Sequence, residues 1–176
     1  MLDIIVQQQG VVMRYCYEVR KDKNYLITSK QFPLIKGNGP TEDRAFEGFI
    51  TKVFNHIKDC FKNELRLPDG YEITSKKSKT FGLPLNMALK IKLHNTRLSK
   101  KVSRTELARL LSITYDEVSV GNWDIQSLRA ISSVNVPKYK NVQRLFDIDH
   151  DSTVREIEHA YRVLGCNVDI TPYERN

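Results

Sequence analysis

The chain reads Ser103-Arg104-Thr105-Glu106-Leu107-Ala108-Arg109-Leu110-Leu111 at the place that decides the fold of its second half. The first four residues fit a capping box, because the Ser103 hydroxyl can accept a hydrogen bond from the Glu106 backbone while the Glu106 side chain reaches back to Ser103. The apolar residues that follow recur at helical spacing and leave Arg104 and Arg109 on the outer side. This stretch predicts the first helix of a helix-turn-helix motif.

The second helix of the motif is predicted from a basic segment farther along, Lys138-Tyr139-Lys140-Asn141-Val142-Gln143-Arg144. Val142 faces inward in this helix, together with Leu145 and Phe146, which follow it. Residues 113–136 separate the two helices, whereas the motif normally has a turn of about 3 to 4 residues. We therefore interpret the region as one helix-turn-helix motif that is split by an insertion.

A helix-turn-helix motif places its second helix in the major groove of double-stranded DNA, where outward polar side chains meet the base edges. Cations suit phosphates, and backbone donors at the start of the preceding helix can also face phosphate. The predicted DNA-binding residues are Tyr139, Asn141 and Gln143 as base readers, Lys138, Lys140 and Arg144 as phosphate contacts, and Ser103, Arg104 and Thr105 at the helix start. The alternative is that they are ordinary solvated residues on a small helical bundle.

Further helices flank the motif. Pro84 suits a first helical turn and predicts a helix over residues 84–99. Nearer the C-terminus, Asp149-His150-Asp151-Ser152 predicts the cap of a last helix, and Gly165 stands where a helix C-terminus prefers glycine. Residues 166–170 could add a terminal strand. The second half is thus predicted to be an all-α helix-turn-helix domain with an insertion.

The first half of the chain has the pattern of strands covered by one helix. Residues 14–19, 25–28 and 32–35 are predicted as strands, and Gly37-Asn38-Gly39-Pro40 predicts a break in regular structure. Thr41 then caps a helix predicted over residues 42–64, whose phenylalanine stripe would cover the strands. We predict an antiparallel meander with one long helix, so that the whole chain is α+β.

Domain boundaries are predicted from composition. Residues 1–12 form an N-terminal extension, with translation starting at Met1 or Met13, and residues 13–74 form the α/β domain. The polar and basic run Ser75-Lys76-Lys77-Ser78-Lys79-Thr80 predicts a linker over residues 75–82. The helix-turn-helix domain takes up residues 83–176, with its insertion at 113–136.

The positive charge of the chain is spread over both halves. The 176 residues carry a net charge of +7, with 14 Lys+Arg against 10 Asp+Glu in residues 1–80 (net +4) and 14 against 11 in residues 81–176 (net +3). A spread excess of this sign favours an anionic partner, most often nucleic acid. The sequence therefore favours binding of DNA or RNA.

Neither a membrane segment nor a cofactor is predicted. No apolar run approaches the roughly 20 residues of a membrane helix, and the N-terminus lacks the features of a signal peptide. The three cysteines are widely spread and are predicted to be reduced thiols of a cytoplasmic protein. His56 and Cys60 stand four residues apart and could share half of a metal site, but no second pair of ligands is apparent and no metal is predicted.

Several short segments stand in a characteristic order along the chain. They are Gly39-Pro40-Thr41-Glu42-Asp43-Arg44-Ala45, Leu83-Pro84-Leu85, Glu106-Leu107-Ala108-Arg109, Val142-Gln143-Arg144-Leu145-Phe146-Asp147, His150 and Leu164-Gly165. Their order and spacing from Met13 onward resemble those of HicB antitoxins of the helix-turn-helix form. The resemblance implies a partial ribonuclease-H-like unit without catalytic residues, which docks on a small HicA-type, mRNA-cleaving toxin and covers its active site. It also implies a C-terminal part that dimerises, binds operator DNA and represses transcription.

Two functions follow as expectations, and neither is enzymatic. The first is a homodimeric or larger HicB-like repressor of a bacterium, phage or mobile element, because a basic chain is a poor electrostatic match for a basic toxin. The second is an antitoxin that neutralises a HicA-type toxin through its N-terminal domain. A nuclease is not expected, since the predicted meander offers only Glu18 on a strand, where metal-dependent catalysis needs a cluster of carboxylates.

Overall fold

The computed structural model describes residues 3–7, 11–70, 79–116 and 142–171, and it shows an α+β protein. The chain divides into two compact units. One comprises Val11–Leu85, and the other comprises Met1–Gly10 together with Asn86–Asn176. Residues 1–10 of the predicted N-terminal extension (residues 1–12) thus group with the C-terminal part of the chain, whereas residues 11 and 12 belong to the other unit.

The unit Val11–Leu85 contains a four-stranded antiparallel sheet in the order β4-β3-β2-β5. Its strands are β2 (Val11–Lys21), β3 (Tyr25–Thr28), β4 (Lys36–Gly39) and β5 (Lys79–Pro84). β2 is the longest and pairs with β3 on one side and β5 on the other. The first two predicted strands therefore correspond to β2 and β3.

One helix, α1 (Glu42–Lys62), packs on this sheet. Its N-terminus is capped by the Thr41 hydroxyl, which accepts a hydrogen bond from the Arg44 backbone at 3.3 Å, and Glu42 and Asp43 place negative charge in the first turn. The buried face of α1 consists of Ala45, Phe49, Val53, Ile57, Cys60 and Phe61. The predicted long helix and its apolar stripe are confirmed.

The third strand differs from its prediction. The strand lies at Lys36–Gly39, where the glycines predicted a break. Residues 32–35, which were predicted as the strand, form a turn in which the Phe32 carbonyl accepts from the Ile35 backbone at 3.0 Å. A Cβ on Gly37 would lie 2.6 Å from the Cβ of Phe49, and one on Gly39 would lie 2.7 Å from the Ala45 nitrogen. The glycines are present because α1 sits directly on β4, a tertiary reason that the local sequence does not reveal.

The predicted linker also needs correction at its end. Residues 79–82 belong to β5, which pairs with β2 through Cys16 opposite Thr80 and Tyr15 opposite Phe81. Phe81 and Leu83 are buried, and the Phe81 ring meets that of Phe49 edge to face at 5.8 Å. β5 was not predicted because its alternation of exposed and buried residues is short and directly follows a lysine-rich run that resembles a linker. Residues 75–78 lie outside the part of the chain that the structure describes.

The second unit is helical with a small sheet. It contains β1 (Asp3–Gln7), α2 (Leu85–Ser99, from Asn86 onward), α3 (Arg104–Asp116), the short α4 (Val142–Leu145), α5 (Val154–Val163) and β6 (Asn167–Thr171). β1 and β6 pair in parallel, with Asp3 opposite Asn167 and Gln7 opposite Thr171. The prediction of an all-α unit is therefore wrong, because the pairing joins segments from opposite ends of the sequence.

The boundaries of the last helix are set by local chemistry. Thr153 caps α5 in a capping box with Glu156, so the cap comes just after the predicted Asp149–Ser152 stretch. Gly165 follows the helix with φ +68°, a left-handed conformation in which glycine is favoured. The predicted helix stop is confirmed, and the predicted terminal strand corresponds to β6.

Candidate nucleic-acid interface

The turn between α2 and α3 is stabilised by two hydrogen bonds between Arg97 and Val102. Lys101 has φ 54°, and the backbone N–H of the next residue, Val102, donates to the Arg97 carbonyl at 3.1 Å. The Arg97 guanidinium, itself buried, returns a hydrogen bond to the Val102 carbonyl at 2.7 Å. The reciprocal pair of bonds fixes the direction in which α3 leaves the turn.

The start of α3 has the Ser103 side of the predicted capping box. The Ser103 hydroxyl accepts from the Glu106 backbone at 3.0 Å, and the Ser103 carbonyl accepts from Leu107 at 2.9 Å. Ser103 and Thr105 are exposed, and the apolar face behind them is buried through Leu107, Leu110 and Leu111. This end of the helix therefore has an open surface with backbone donors, which is the feature that favours anions.

Arg104 lies partly buried against an aromatic ring from a distant segment. Its guanidinium lies over the ring of Phe146, 5.1 Å from the ring centre, and the guanidinium of Arg97 also lies over that ring at 5.2 Å. Such cation–π contacts are attractive because the face of the ring is electron-rich. The start of α3 and the segment after α4 are thus brought together, although residues 113–136 separate them in the sequence.

The short helix α4 presents the described end of the predicted DNA-contacting segment. Val142 and Leu145 are buried, whereas Gln143 and Arg144 are exposed. The predicted inward and outward faces are confirmed for these residues. Lys138, Tyr139, Lys140 and Asn141 lie outside the described residues. The first residues of the predicted insertion, 113–116, continue α3, and residues 117–136 are likewise outside the description.

Lys90 is a residue of this region that the sequence patterns did not single out. Its side chain is fully buried, and its ammonium donates to the backbone carbonyls of Arg144 at 2.9 Å, Asp147 at 2.6 Å and His150. Burial lowers the pKa of Lys90, although the carboxylates of Asp147, Asp151 and Glu156 oppose that shift. The sequence pattern that could have indicated a buried Lys90 is the spacing of Lys90, His94 and Arg97 on one face of α2, but a solvent-exposed helix face has the same spacing.

The carbonyl of Arg144 receives a second side chain. The hydroxyl of Ser152, a buried residue, donates to it at 3.2 Å, and the Asn86 amide in turn donates to the Ser152 carbonyl. The end of α4 is therefore tied to α2 through Lys90 directly and through Asn86 by way of Ser152.

His56 and Cys60 share a face of α1 as their spacing predicted, with 3.5 Å between Nε2 and Sγ. Among the residues that the structure describes, no three His, Cys, Asp or Glu side chains are grouped so that they could hold a metal ion. Within the same residues, no helix is long and apolar enough to cross a membrane.

The chain was also compared with known proteins. No protein-family model matches the chain. An antitoxin HicB of Pseudomonas fluorescens (strain Pf0-1) is 24% identical over 160 residues, which cover 90% of this chain and 93% of the relative. Neither compact unit alone makes up so large a share of the chain, so the similarity extends over both. The chain is thus similar to a HicB antitoxin over nearly its whole length.

Proposed function

We propose that the protein is an antitoxin that binds and neutralises a small HicA-type toxin through the unit Val11–Leu85. The observation that carries this function is the similarity to an antitoxin over 90% of the chain. The sheet covered on one face by α1 accords with the partial ribonuclease-H-like unit to which the family resemblance assigns toxin binding. The net charge of +7 is the sum over the whole chain, and a docking surface presents only part of it.

Co-expression with the small product of a neighbouring gene tests this function. The full chain should restore growth of cells that make the toxin, and it should retain the tagged toxin during purification. Gly37→Ala, which disturbs the contact between β4 and α1, should weaken both effects, while Gly48→Ala is the matched control because open space surrounds that position. A folded wild-type chain that neither protects cells nor retains the toxin would exclude this function.

The second proposed function is repression through operator DNA, bound by the unit that contains α2 to α5. The specific observation in its favour is the stack of Arg104 on Phe146, which holds the start of α3 close to α4. In this proposal Gln143, Tyr139 and Asn141 read bases, Arg144, Lys138 and Lys140 contact phosphates, and Ser103, Arg104 and Thr105 lie along the backbone. A homodimer would read two half-sites of a palindromic operator, in the cytoplasm of a bacterial cell.

Gel-shift titration against the protein's own promoter tests the repressor function. Arg144→Ala and Lys138→Ala should each weaken binding and lower the slope of log affinity against log salt by about one. Arg155→Ala is the matched control, because Arg155 is an exposed arginine of α5 that has no proposed contact. If all the variants bind the promoter as well as the wild type does, α4 is not part of the DNA interface. If the wild type does not shift the promoter fragment, the repressor function is excluded.

A further inference from the structure

The ammonium of Lys90 binds three backbone carbonyls of the loop formed by residues 144–150. An ammonium has three donors, and the carbonyls of Arg144, Asp147 and His150 accept from it. These three acceptors span the end of α4 and the turn that follows. A single buried side chain therefore ties that segment to α2 at three carbonyls.

The loop needs such an anchor because α4 is too short to hold itself. A helix leaves its last carbonyls without partners, and α4 has only four residues. Phe146 donates to the Gln143 carbonyl at 3.0 Å, but the next two backbone bonds are longer, since Asp147 donates to the Arg144 carbonyl at 3.3 Å and His150 donates to the Asp147 carbonyl at 3.3 Å. The positive end of Lys90 meets the carbonyl end of the helix, where cations are favoured.

A lysine in this position is otherwise hard to explain. Fully buried lysines are rare unless their charge is compensated, and an apolar side chain would fill the same space without desolvating a charge. What an apolar side chain cannot do is draw three carbonyls to one point. Arg144 carries the first of these carbonyls, and Gln143 directly precedes it. Both side chains are exposed, so the direction in which they point depends on the bonds that Lys90 makes.

We propose that Lys90 is the positioning residue of the DNA-contacting segment, which sets the direction in which α4 presents Gln143 and Arg144 to base edges and phosphates. This inference rests on the proposed repressor function. Base contacts carry sequence preference, whereas phosphate contacts supply affinity for any DNA. Lys90 therefore acts on the preference for the operator over unrelated DNA, and it makes no contact with DNA itself.

The test compares Lys90→Met, which keeps the length of the side chain without its donors, with Tyr161→Phe. Tyr161 is a matched control, because its buried hydroxyl donates its one hydrogen to the Leu89 carbonyl of the same helix at 3.0 Å, and not to a carbonyl of the loop. Affinities of the full chain for operator and for unrelated DNA are measured at one salt concentration. Amide hydrogen exchange of residues 143–150 is measured without DNA, and circular dichroism follows folding.

Lys90→Met should lose about 10- to 100-fold in operator affinity, the effect of one misplaced base contact, and change its affinity for unrelated DNA little. Amides of residues 143–150 should exchange faster in this variant, and Tyr161→Phe should leave preference and exchange in that segment unchanged. An unchanged operator preference in Lys90→Met, or an equal loss in Tyr161→Phe, would overturn the inference alone. A wild-type protein that binds no DNA would overturn the repressor function and the inference with it.

A gentler variant covers the case in which Lys90→Met does not fold. Ser152→Ala removes a different hydrogen bond to the same Arg144 carbonyl and leaves the Lys90 ammonium in place. It should shift operator preference in the same direction by a smaller factor. If Lys90→Met is unfolded and Ser152→Ala keeps the full preference of the wild type, Lys90 is a residue of the core and the inference fails.

Discussion

The guanidinium of Arg104 lies over the ring of Phe146 at 5.1 Å, and this contact joins two segments that residues 113–136 keep apart in the sequence. Phe146 is buried, and Arg97 lies over the same ring. Arg104 had been predicted as a DNA contact at the start of α3. The structure gives Arg104 a packing role, because its guanidinium holds α3 against the segment that follows α4.

A double-mutant cycle measures this contact. Arg104→Gln, Phe146→Leu and the double variant should show a coupling of about 0.5 to 2 kcal/mol in the free energy of unfolding, since each single change removes the cation–π attraction while keeping most of the packing. Chemical denaturation of the full chain, followed by helical circular dichroism, provides the measurement. Strictly additive effects would mean that the two side chains are neighbours without a stabilising interaction.

Two glycines of the other unit should respond to alanine with opposite signs. Gly37→Ala should destabilise the unit Val11–Leu85 by about 1 to 3 kcal/mol or more, because the new methyl group would collide with α1 at Ala45 and Phe49. Gly48→Ala lies inside α1 with open space around it and should stabilise the helix by about 0.5 to 1 kcal/mol. Thermal unfolding of both variants checks the pair. Similar stabilities would show that α1 does not approach β4 as closely as the glycines indicate.

These glycines also show what sequence patterns can and cannot predict. The helix α1 was predictable because its information is local: Thr41 caps it, acidic residues follow, and its apolar stripe has the helical period. The strand at Lys36–Gly39 was not, since glycine normally weakens a strand and only the approach of α1 explains it there. Strand propensity depends on the local sequence, whereas this strand depends on its packing against α1.

The candidate interface divides in the same way. The cap at Ser103 and the outward positions of Gln143 and Arg144 follow from residue type and spacing, and the structure agrees with both. The pairing of β1 with β6 and the carbonyl cage around Lys90 are contacts between distant segments. Period and composition describe faces of single elements, so they carry no information about which distant carbonyls a buried lysine will reach.

Ser103 allows the capping role to be separated from the proposed DNA contact. Ser103→Ala should destabilise the protein by about 1 kcal/mol, because the hydrogen bond from the Glu106 backbone is lost. Ser103→Asp should keep the stability, since aspartate is an equally good N-cap, but its charge should repel phosphate and weaken DNA binding. Denaturation and gel-shift titration are run on both variants. Undiminished DNA binding by the aspartate variant would place the start of α3 away from the DNA backbone.

The pH dependence of stability should show a contribution from His159. Burial lowers the pKa of this half-buried histidine, Arg162 and Arg155 lower it further, and the interaction with the Leu111 backbone opposes the shift. Between the lowered pKa of the folded state and the ordinary histidine pKa of about 6.5 the unfolded chain therefore binds more protons than the folded one. Stability should fall as the pH drops from about 6.5 toward the lower pKa of the folded state, and it should level off below that value.

His159→Gln isolates this contribution, because glutamine keeps a polar side chain and does not titrate. Between about pH 7 and about pH 5 the melting temperature of the variant should fall less than that of the wild type. The difference between the two curves should vanish above about pH 7.5, where the imidazole is neutral in both the folded and the unfolded chain. Parallel curves over the whole range would mean that His159 titrates alike in both states, and that its burial beside Leu111 of α3 does not persist in solution.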